Sequence, residues 1–282
     1  MKKIFCLLIL FVFSSLSFAD VSGFRKYKLG TLEFIAIKDM DTNLGKSILL
    51  NPEAPVVREV MFDGQNPSSI NAFAVKTKDK NILIDTGNGE GGAMFANLLS
   101  AGFSPDDFSI VIITHMHGDH IGGLVSADGE RNFKRAQIYI AATELNYWLN
   151  AVGDRNSARL IKSVYGGDLK TFDYDANITP EIKALSAVGH TPGHTMFEIS
   201  SGQDKILVVG DLTHNIKVQT ADPSMSVTFD SDPKQAANTR IKVFRDAAKN
   251  KTKIAGMHIP FPGVGYLSEA AGGKYNFDPS YR

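Results

Sequence analysis

A dense group of metal-binding side chains directly follows an apolar, β-branched run, and this feature limits the possible folds most. The run spans residues 109–114 and predicts a strand covered on both faces. The candidate ligands after it are His115, His117, Asp119 and His120. Residues two apart in an extended backbone point to the same side, and Gly118 permits a tight turn that returns the next side chains to the same point. Imidazole and carboxylate together suit zinc, and also iron, manganese or cobalt.

The clustering argues against an ordinary structural role for these histidines. A lone histidine near a strand end is usually a surface or core residue. The chain has only seven histidines, and three of them fall in this short segment beside an aspartate. We therefore predict that the segment binds metal.

Other strand ends supply candidates to complete the coordination, because a catalytic ion needs about three protein ligands and one open position. His190 and His194 follow one predicted strand, and Asp211 and His258 each follow another. Polar residues at strand ends are where the active sites of layered α/β folds collect. His214 has no such placement, and we expect it to lie in a surface loop.

The hydrophobic pattern predicts an α/β protein with two sheets and helices outside them. We expect strands within residues 27–38 (a pair around Gly30), 70–76, 81–85, 109–114, 138–141, 182–188, 196–199, 206–209 and 254–256. We expect helices at residues 93–101, 144–151, 158–165 and 232–249. Residues 39–69 contain three prolines and few periodic apolar positions, which predicts a long loop. Residues after His258 are read as a glycine- and proline-rich tail.

The N-terminal residues have the pattern of a secretory signal peptide. Lys2 and Lys3 precede an apolar run at residues 4–13, and Ser17 and Ala19 occupy the small-residue positions of a cleavage site. The run is shorter than the roughly 20 residues of a spanning helix, which disfavours the alternative of a membrane anchor. We predict a signal peptide at residues 1–19 and a periplasmic or secreted protein. The only cysteine, Cys6, lies in this segment, so the mature chain would have no thiolate ligand.

The charge balance indicates a small-molecule substrate. Lysine plus arginine equal aspartate plus glutamate at 30 each, which leaves no broad basic field for nucleic acid or an anionic membrane. No linker or repeat divides residues 20–282, so we predict that they form a single domain. The oligomeric state stays open, and a homodimer is one of the alternatives.

Together these motifs resemble the metallo-β-lactamase superfamily. The pattern comprises His-x-His-x-Asp-His, a later Gly-His-Thr, a Gly-Asp after a strand and a final histidine. The sequence is similar in particular to the methyl parathion hydrolase branch, at residues 84–87, 113–123, 189–195, 210–212, 229–232 and 258–263. The likeness runs from about Asn71 to the C-terminus. It implies a four-layer αβ/βα sandwich with two divalent metal ions between the sheet edges.

The resemblance also implies a role for each ligand candidate. His115, His117 and His190 would hold one ion, Asp119, His120 and His258 the other, and Asp211 would bridge the two. The resemblance also favours His190 over His194, because in the family the next strand begins just after the second histidine of this motif, and residues 195–199 do so here. His194 would then lie behind the ligands and orient them.

The implied activity is hydrolysis by a hydroxide held between the two ions. Asp119 would orient that hydroxide, and Asp211 would fix both ions. A bridging aspartate is typical of lactonases, phosphotriesterases and glyoxalase-II-like thioesterases. We therefore predict cleavage of a small ester-like substrate, either a lactone or a phosphotriester, with zinc as the favoured metal. The alternatives are a thioesterase, a weak β-lactamase, a di-iron redox protein and a metal-binding protein without turnover.

Trp148 is the one tryptophan of the chain, and it lies on a predicted helix after the metal motif. It could line an apolar substrate pocket, or it could pack into the core with the rest of that helix face. The resemblance places an aromatic residue of the substrate pocket near this position, which favours the first alternative.

Overall fold

The computed structural model describes residues 22–150 and 155–279, and the described strands form two seven-stranded sheets. The first sheet contains β1 (Phe24–Leu29), β2 (Leu32–Asn43), β3 (Pro67–Lys76), β4 (Asn81–Ile84), β5 (Ile110–Ile112), β6 (Gln137–Ala141) and β7 (Leu169–Phe172), in chain order. Strands β1 to β4 pair antiparallel, and β4 to β7 pair parallel. This sheet therefore uses only the first part of the chain.

The second sheet is built from the rest of the chain. It contains β8 (Asn177–Thr179), β9 (Ile182–Ser186), β10 (Thr195–Ser201), β11 (Asp204–Gly210), β12 (Lys253–Gly256), β13 (Val264–Ala270) and β14 (Lys274–Pro279). Neighbouring strands of this sheet are consecutive in the chain, and of the described strands only β11 and β12 pair parallel. Among the described strands, the chain passes from one sheet to the other once, between β7 and β8.

Seven helices flank the sheets in the described part of the chain. They are α1 (Pro55–Val60), α2 (Met94–Ala101), α3 (Gly118–Ile121), α4 (Ala142–Asn150), α5 (Arg155–Tyr165), α6 (Ile216–Ala221) and α7 (Pro233–Asn250). Asp232 caps the N-terminus of α7, because its side chain accepts a hydrogen bond from the backbone N–H of Gln235. None of the helices in residues 22–150 and 155–279 combines the length and apolar character needed to cross a membrane.

Alternating side chains of the central strands divide the core into layers. On β2, Phe34 packs between the two sheets, whereas the neighbouring Ile35 belongs to the outer apolar cluster that also contains residues of α2, α4 and α5. On the other side, Phe244 of α7 packs on the outer face of the second sheet. The order of layers is helix, sheet, sheet, helix, which confirms the predicted αβ/βα sandwich.

The sequence interpretation of residues 39–69 as a long loop is wrong. Strand β2 continues to Asn43, a short 3-10 turn and α1 follow, and β3 begins at Pro67. The β2–β3 ladder extends through polar pairs such as Thr42 with Ser68, because backbone hydrogen bonds do not require an apolar pattern. Pro67 is tolerated because it is the first residue of its strand.

Two further predictions concern the chain ends. The residues after His258 form the antiparallel pair β13–β14 rather than an irregular tail, and Tyr275 and Phe277 pack against the core under α7. The predicted signal peptide, residues 1–19, lies outside the described residues and stays a prediction.

Replacing Phe197 by alanine tests the core between the sheets. Phe197 is fully buried, and its ring centroid lies 6.0 Å from that of Phe172. We expect Phe197→Ala to lower the free energy of unfolding by about 3–5 kcal/mol in urea titrations, because apolar burial is lost and a cavity remains. Leu99→Ala is the control, because Leu99 is 62% exposed, and it should change stability by less than about 0.5 kcal/mol. Equal effects of the two variants would contradict this packing.

Candidate metal centre

The candidate ligands converge where several strands of both sheets end. Strand β5 leads into the segment with His115 and His117, and α3 carries Asp119 and His120. The second sheet contributes His190 between β9 and β10, Asp211 after β11, and His258 after β12. The structure brings these seven side chains together. Since four come from the first half of the chain and three from the second, the group lies across the junction of the two sheets.

Three imidazoles form what we call the first cluster: His115, His117 and His190. Nε2 of His115 lies 2.9 Å from Nδ1 of His117 and 3.2 Å from Nε2 of His190. Nδ1 of His117 lies 3.0 Å from Nε2 of His190. Nitrogen ligands 2.0–2.1 Å from one tetrahedral ion would stand about 3.3 Å apart. The spacing of the three nitrogens therefore fits a single divalent cation.

Hydrogen bonds behind the first cluster fix which nitrogens face inward. Nδ1 of His190 donates to Asp230 at 3.0 Å, so in the neutral ring Nε2 carries the lone pair. The Thr114 hydroxyl donates to Asp85 and is therefore an acceptor for Nδ1 of His115, at 3.0 Å. Two lone pairs then face each other across the cluster, and they need a proton or a cation between them.

The environment of His190 favours a positive charge. Burial alone lowers the pKa of His190, but hydrogen bonds and charge from Asp211 and Asp230 outweigh burial and raise it to about 9. Burial lowers the pKa of His117 to about 4. The carboxylates of Asp211 and Asp230 therefore favour positive charge at the first cluster, which a bound cation would supply.

The second cluster comprises Asp119, His120 and His258. Nε2 of His120 lies 3.7 Å from Asp119 Oδ1, and Nε2 of His258 lies 3.5 Å from Asp119 Oδ2. Nδ1 of His120 is held by Asp85 at 2.7 Å, so its Nε2 faces the cluster. That Nε2 is buried and has no hydrogen-bond partner in the described structure, which is the situation expected of a metal ligand.

Asp211 lies between the two clusters. Its Oδ2 is 3.5 Å from Nε2 of His115, 3.3 Å from that of His190 and 3.0 Å from that of His258. Its Oδ1 is 3.2 Å from Nε2 of His120. Burial raises the pKa of Asp211, but the surrounding imidazoles lower it well below its usual value. The ionised carboxylate can therefore contact a cation in each cluster.

His194 lies behind this group with both ring nitrogens occupied. Its Nδ1 donates to the backbone carbonyl of Ala187 at 2.9 Å, and its Nε2 accepts the backbone N–H of Asp211 at 3.0 Å. Burial lowers its pKa to about 3, so the ring stays neutral. Gly210 has a φ of +56°, and a Cβ there would lie 2.3 Å from His194 Nε2. His194 is thus unavailable as a ligand and orients Asp211 instead.

The expectation that His214 lies in a surface loop is wrong. His214 is buried, its Nε2 lies 3.0 Å from Asp211 Oδ2, and its ring stacks on that of His258 at 4.8 Å. Gln219 folds this turn inward, because its side-chain oxygen accepts the backbone N–H of His214 at 2.8 Å. The position of His214 three residues after Asp211 was the available signal.

A cavity of about 210 Å³ opens onto the two clusters. It is lined by Thr42, Leu44, Ile70, His117, Asp119, Asp211, His214, Phe229 and His258. A larger groove of about 570 Å³ between α7 and the second sheet has no histidine among its lining residues. The smaller cavity therefore combines the metal-binding side chains with an apolar wall.

Trp148 does not line this cavity. Its ring lies edge-on to that of His117 at 5.5 Å, it packs against the core under α4, and its Nε1 donates to Glu144 at 2.6 Å. A direct contact of Trp148 with substrate stays a prediction.

Comparison with known proteins covers most of the chain. A family model described as the metallo-beta-lactamase superfamily matches residues 66–254. The solved structure of AidC, a dizinc quorum-quenching lactonase in complex with a product, has a TM-score of 0.85 and 30% identity, with 94% of this chain and 99% of that chain covered. The hydrolase AbOPH of the beta-lactamase superfamily gives 0.85 and 28% over the same shares.

Curated relatives match over shorter stretches. An atrochrysone carboxyl ACP thioesterase of Passalora fulva is 28% identical over 184 residues, which cover 61% of this chain and 49% of that protein. The N-acyl homoserine lactonase AiiB of Agrobacterium fabrum is 27% identical over 161 residues, 49% of this chain and 55% of that protein. The chain thus spans about half the length of these two relatives.

Paired alanine variants distinguish a ligand from a residue that orients one. We expect His190→Ala to lose one of two bound metal ions, because it removes a nitrogen from the first cluster. His194→Ala should keep two ions and bind them about 10–100-fold more weakly. Metal content after gel filtration and affinity from chelator competition measure both effects. Loss of an ion in His194→Ala with none lost in His190→Ala would reverse the assignment.

Proposed function

Because the chain belongs to the metallo-β-lactamase superfamily and is a metal hydrolase of this fold, we propose that it opens the rings of small neutral lactones. The observation that carries the proposal is the position of Asp211, shared between two ligand clusters at the base of a small cavity. Such a shared carboxylate suits a pair of divalent cations, and the donor set of imidazole and carboxylate suits zinc.

Two divalent cations bound here would lower the pKa of a water molecule toward neutrality and polarise the substrate carbonyl. The chain's own residues hold and orient the reactants. Asp119 lines the cavity, and its side chain is 27% exposed, so a carboxylate oxygen can accept a hydrogen bond from the attacking water. The water adds to the carbonyl carbon, the ring C–O bond breaks, and the leaving oxygen takes up a proton to give a hydroxy acid.

The cavity supports a neutral and compact substrate. No lysine or arginine is among its lining residues, and Leu44, Ile70 and Phe229 supply an apolar wall. The likeness to a dizinc lactonase over 94% of the chain supports a lactone rather than a phosphotriester. The proposal that the enzyme acts in the periplasm or beyond it rests on the N-terminal sequence pattern alone.

A substrate panel tests the proposed reaction. Purified, zinc-loaded protein is assayed on N-hexanoyl homoserine lactone, an unsubstituted γ-lactone, a paraoxon-like triester, an acyl thioester and a β-lactam. We expect the highest kcat/KM on a lactone. A higher kcat/KM on the triester or the thioester would refute the lactone assignment, but the assignment as a metal-dependent hydrolase would stand.

Replacing Asp119 by asparagine tests its place at the reacting water. We expect Asp119→Asn to lower kcat by about 10²–10⁴-fold, because the amide is a poor proton acceptor. Metal content is measured alongside to separate orientation of water from loss of an ion. Asp128→Asn makes the same chemical change at an exposed carboxylate and should leave kcat unchanged. Full activity in Asp119→Asn would exclude this role.

A further inference from the structure

Glu144 on α4 is a fully buried acid outside both clusters. Its Oε1 accepts the backbone N–H of Met116 at 2.9 Å and Nε1–H of Trp148 at 2.6 Å. Its Oε2 accepts the hydroxyl of Thr191 at 2.7 Å and the backbone N–H of Gly193 at 3.0 Å. Four donors from three segments thus occupy the acceptor sites of one carboxylate.

Three of these four contacts reach the two segments that carry the first cluster. Met116 stands between His115 and His117, and Thr191 follows His190 directly. The segments are far apart in sequence, so the carboxylate of Glu144 joins them from behind. Trp148, the remaining donor, places its ring edge-on to His117.

The backbone packing around Glu144 is equally close. A Cβ at Gly193 would lie 2.2 Å from the backbone nitrogen of Glu144 and 2.4 Å from its Cα. Only glycine allows the His190 segment to come this near to α4. The hydrogen bonds and the close approach therefore fix one relative position of α4 and that segment.

Support for the second cluster comes from elsewhere. The hydrogen bonds of the Glu144 side chain involve none of Asp119, His120 and His258, and His120 is held by Asp85. We propose that Glu144 is a positioning residue that sets the geometry of the first cluster and thereby its affinity for one of the two cations. The inference rests on the proposed metal-dependent function, but not on the identity of the substrate.

The nearly isosteric change Glu144→Gln tests this inference. Its amide group has one acceptor oxygen, and its NH₂ faces a backbone N–H in either orientation, that of Met116 or that of Gly193. At least one ligand segment then loses its anchor while the side-chain volume is kept. Glu130→Gln makes the same change at an exposed position and is the matched control.

Metal affinity is the decisive readout. Metal-free protein is titrated with Zn²⁺ in competition with a chelating indicator, which resolves two binding steps. His117→Ala identifies the step that belongs to the first cluster, because His117 contacts the other two imidazoles of that cluster. We expect Glu144→Gln to weaken this same step by about 10–100-fold and to leave the other step within about threefold, as outer hydrogen-bond partners of ligands do.

The possible outcomes distinguish failure of the positioning role of Glu144 from failure of the proposed metal-dependent function. Two normal binding steps in Glu144→Gln, or equal weakening of both, would overturn the positioning role and leave the proposed function standing. A wild-type protein that binds no Zn²⁺ would overturn both. If Glu144→Gln does not fold, Thr191→Val removes a single donor and should weaken the same step by a smaller factor. An unchanged step in that variant would also overturn the inference.

Discussion

The carboxylate of Asp211, surrounded by imidazoles at 3.0–3.5 Å, is the interaction on which the rest of the site depends. Buried charge is costly unless it is compensated, so every neighbour of this group must be held in one orientation. Asp85 holds His120, Asp230 holds His190, and the ring of His194 holds the backbone of Asp211. The candidate ligands are thus held from behind by hydrogen bonds.

The outer helix takes part in this arrangement through Arg240. Its guanidinium is buried under α7 and donates to the backbone carbonyls of Leu212, Pro223 and Met225, and one of its nitrogens lies 3.8 Å from Asp230. Burial lowers its pKa to about 10, so it stays charged at neutral pH. The guanidinium of Arg240 therefore stabilises both the carboxylate of Asp230 behind His190 and the segment that carries His214.

The convergence of the candidate ligands was predictable because it follows a local rule, whereas the supporting contacts do not. His115, Asp211 and His258 each follow an apolar strand, and strand ends of layered folds meet at one edge. Glu144 could not be recognised, since its partners Met116 and Thr191 are distant in sequence and two of its four donors are backbone N–H groups. His214 was missed because Gln219, not a strand, turns it inward. The sequence pattern predicts a loop over residues 42–44, because backbone hydrogen bonds hold this stretch without alternating apolar side chains. The cavity wall at Thr42 and Leu44 could therefore not be predicted.

The one crossing between the sheets seen in the described strands divides the seven candidate ligands by position in the chain. Four of them lie in the part of the chain that contains β1 to β7, and the other three lie in the part that contains β8 to β14. A peptide-bond break between Phe172 and Asn177 would leave each fragment with a complete sheet but an incomplete set of donors. Neither fragment alone could then assemble both clusters. Binding of two metal ions would therefore show that the two fragments have associated.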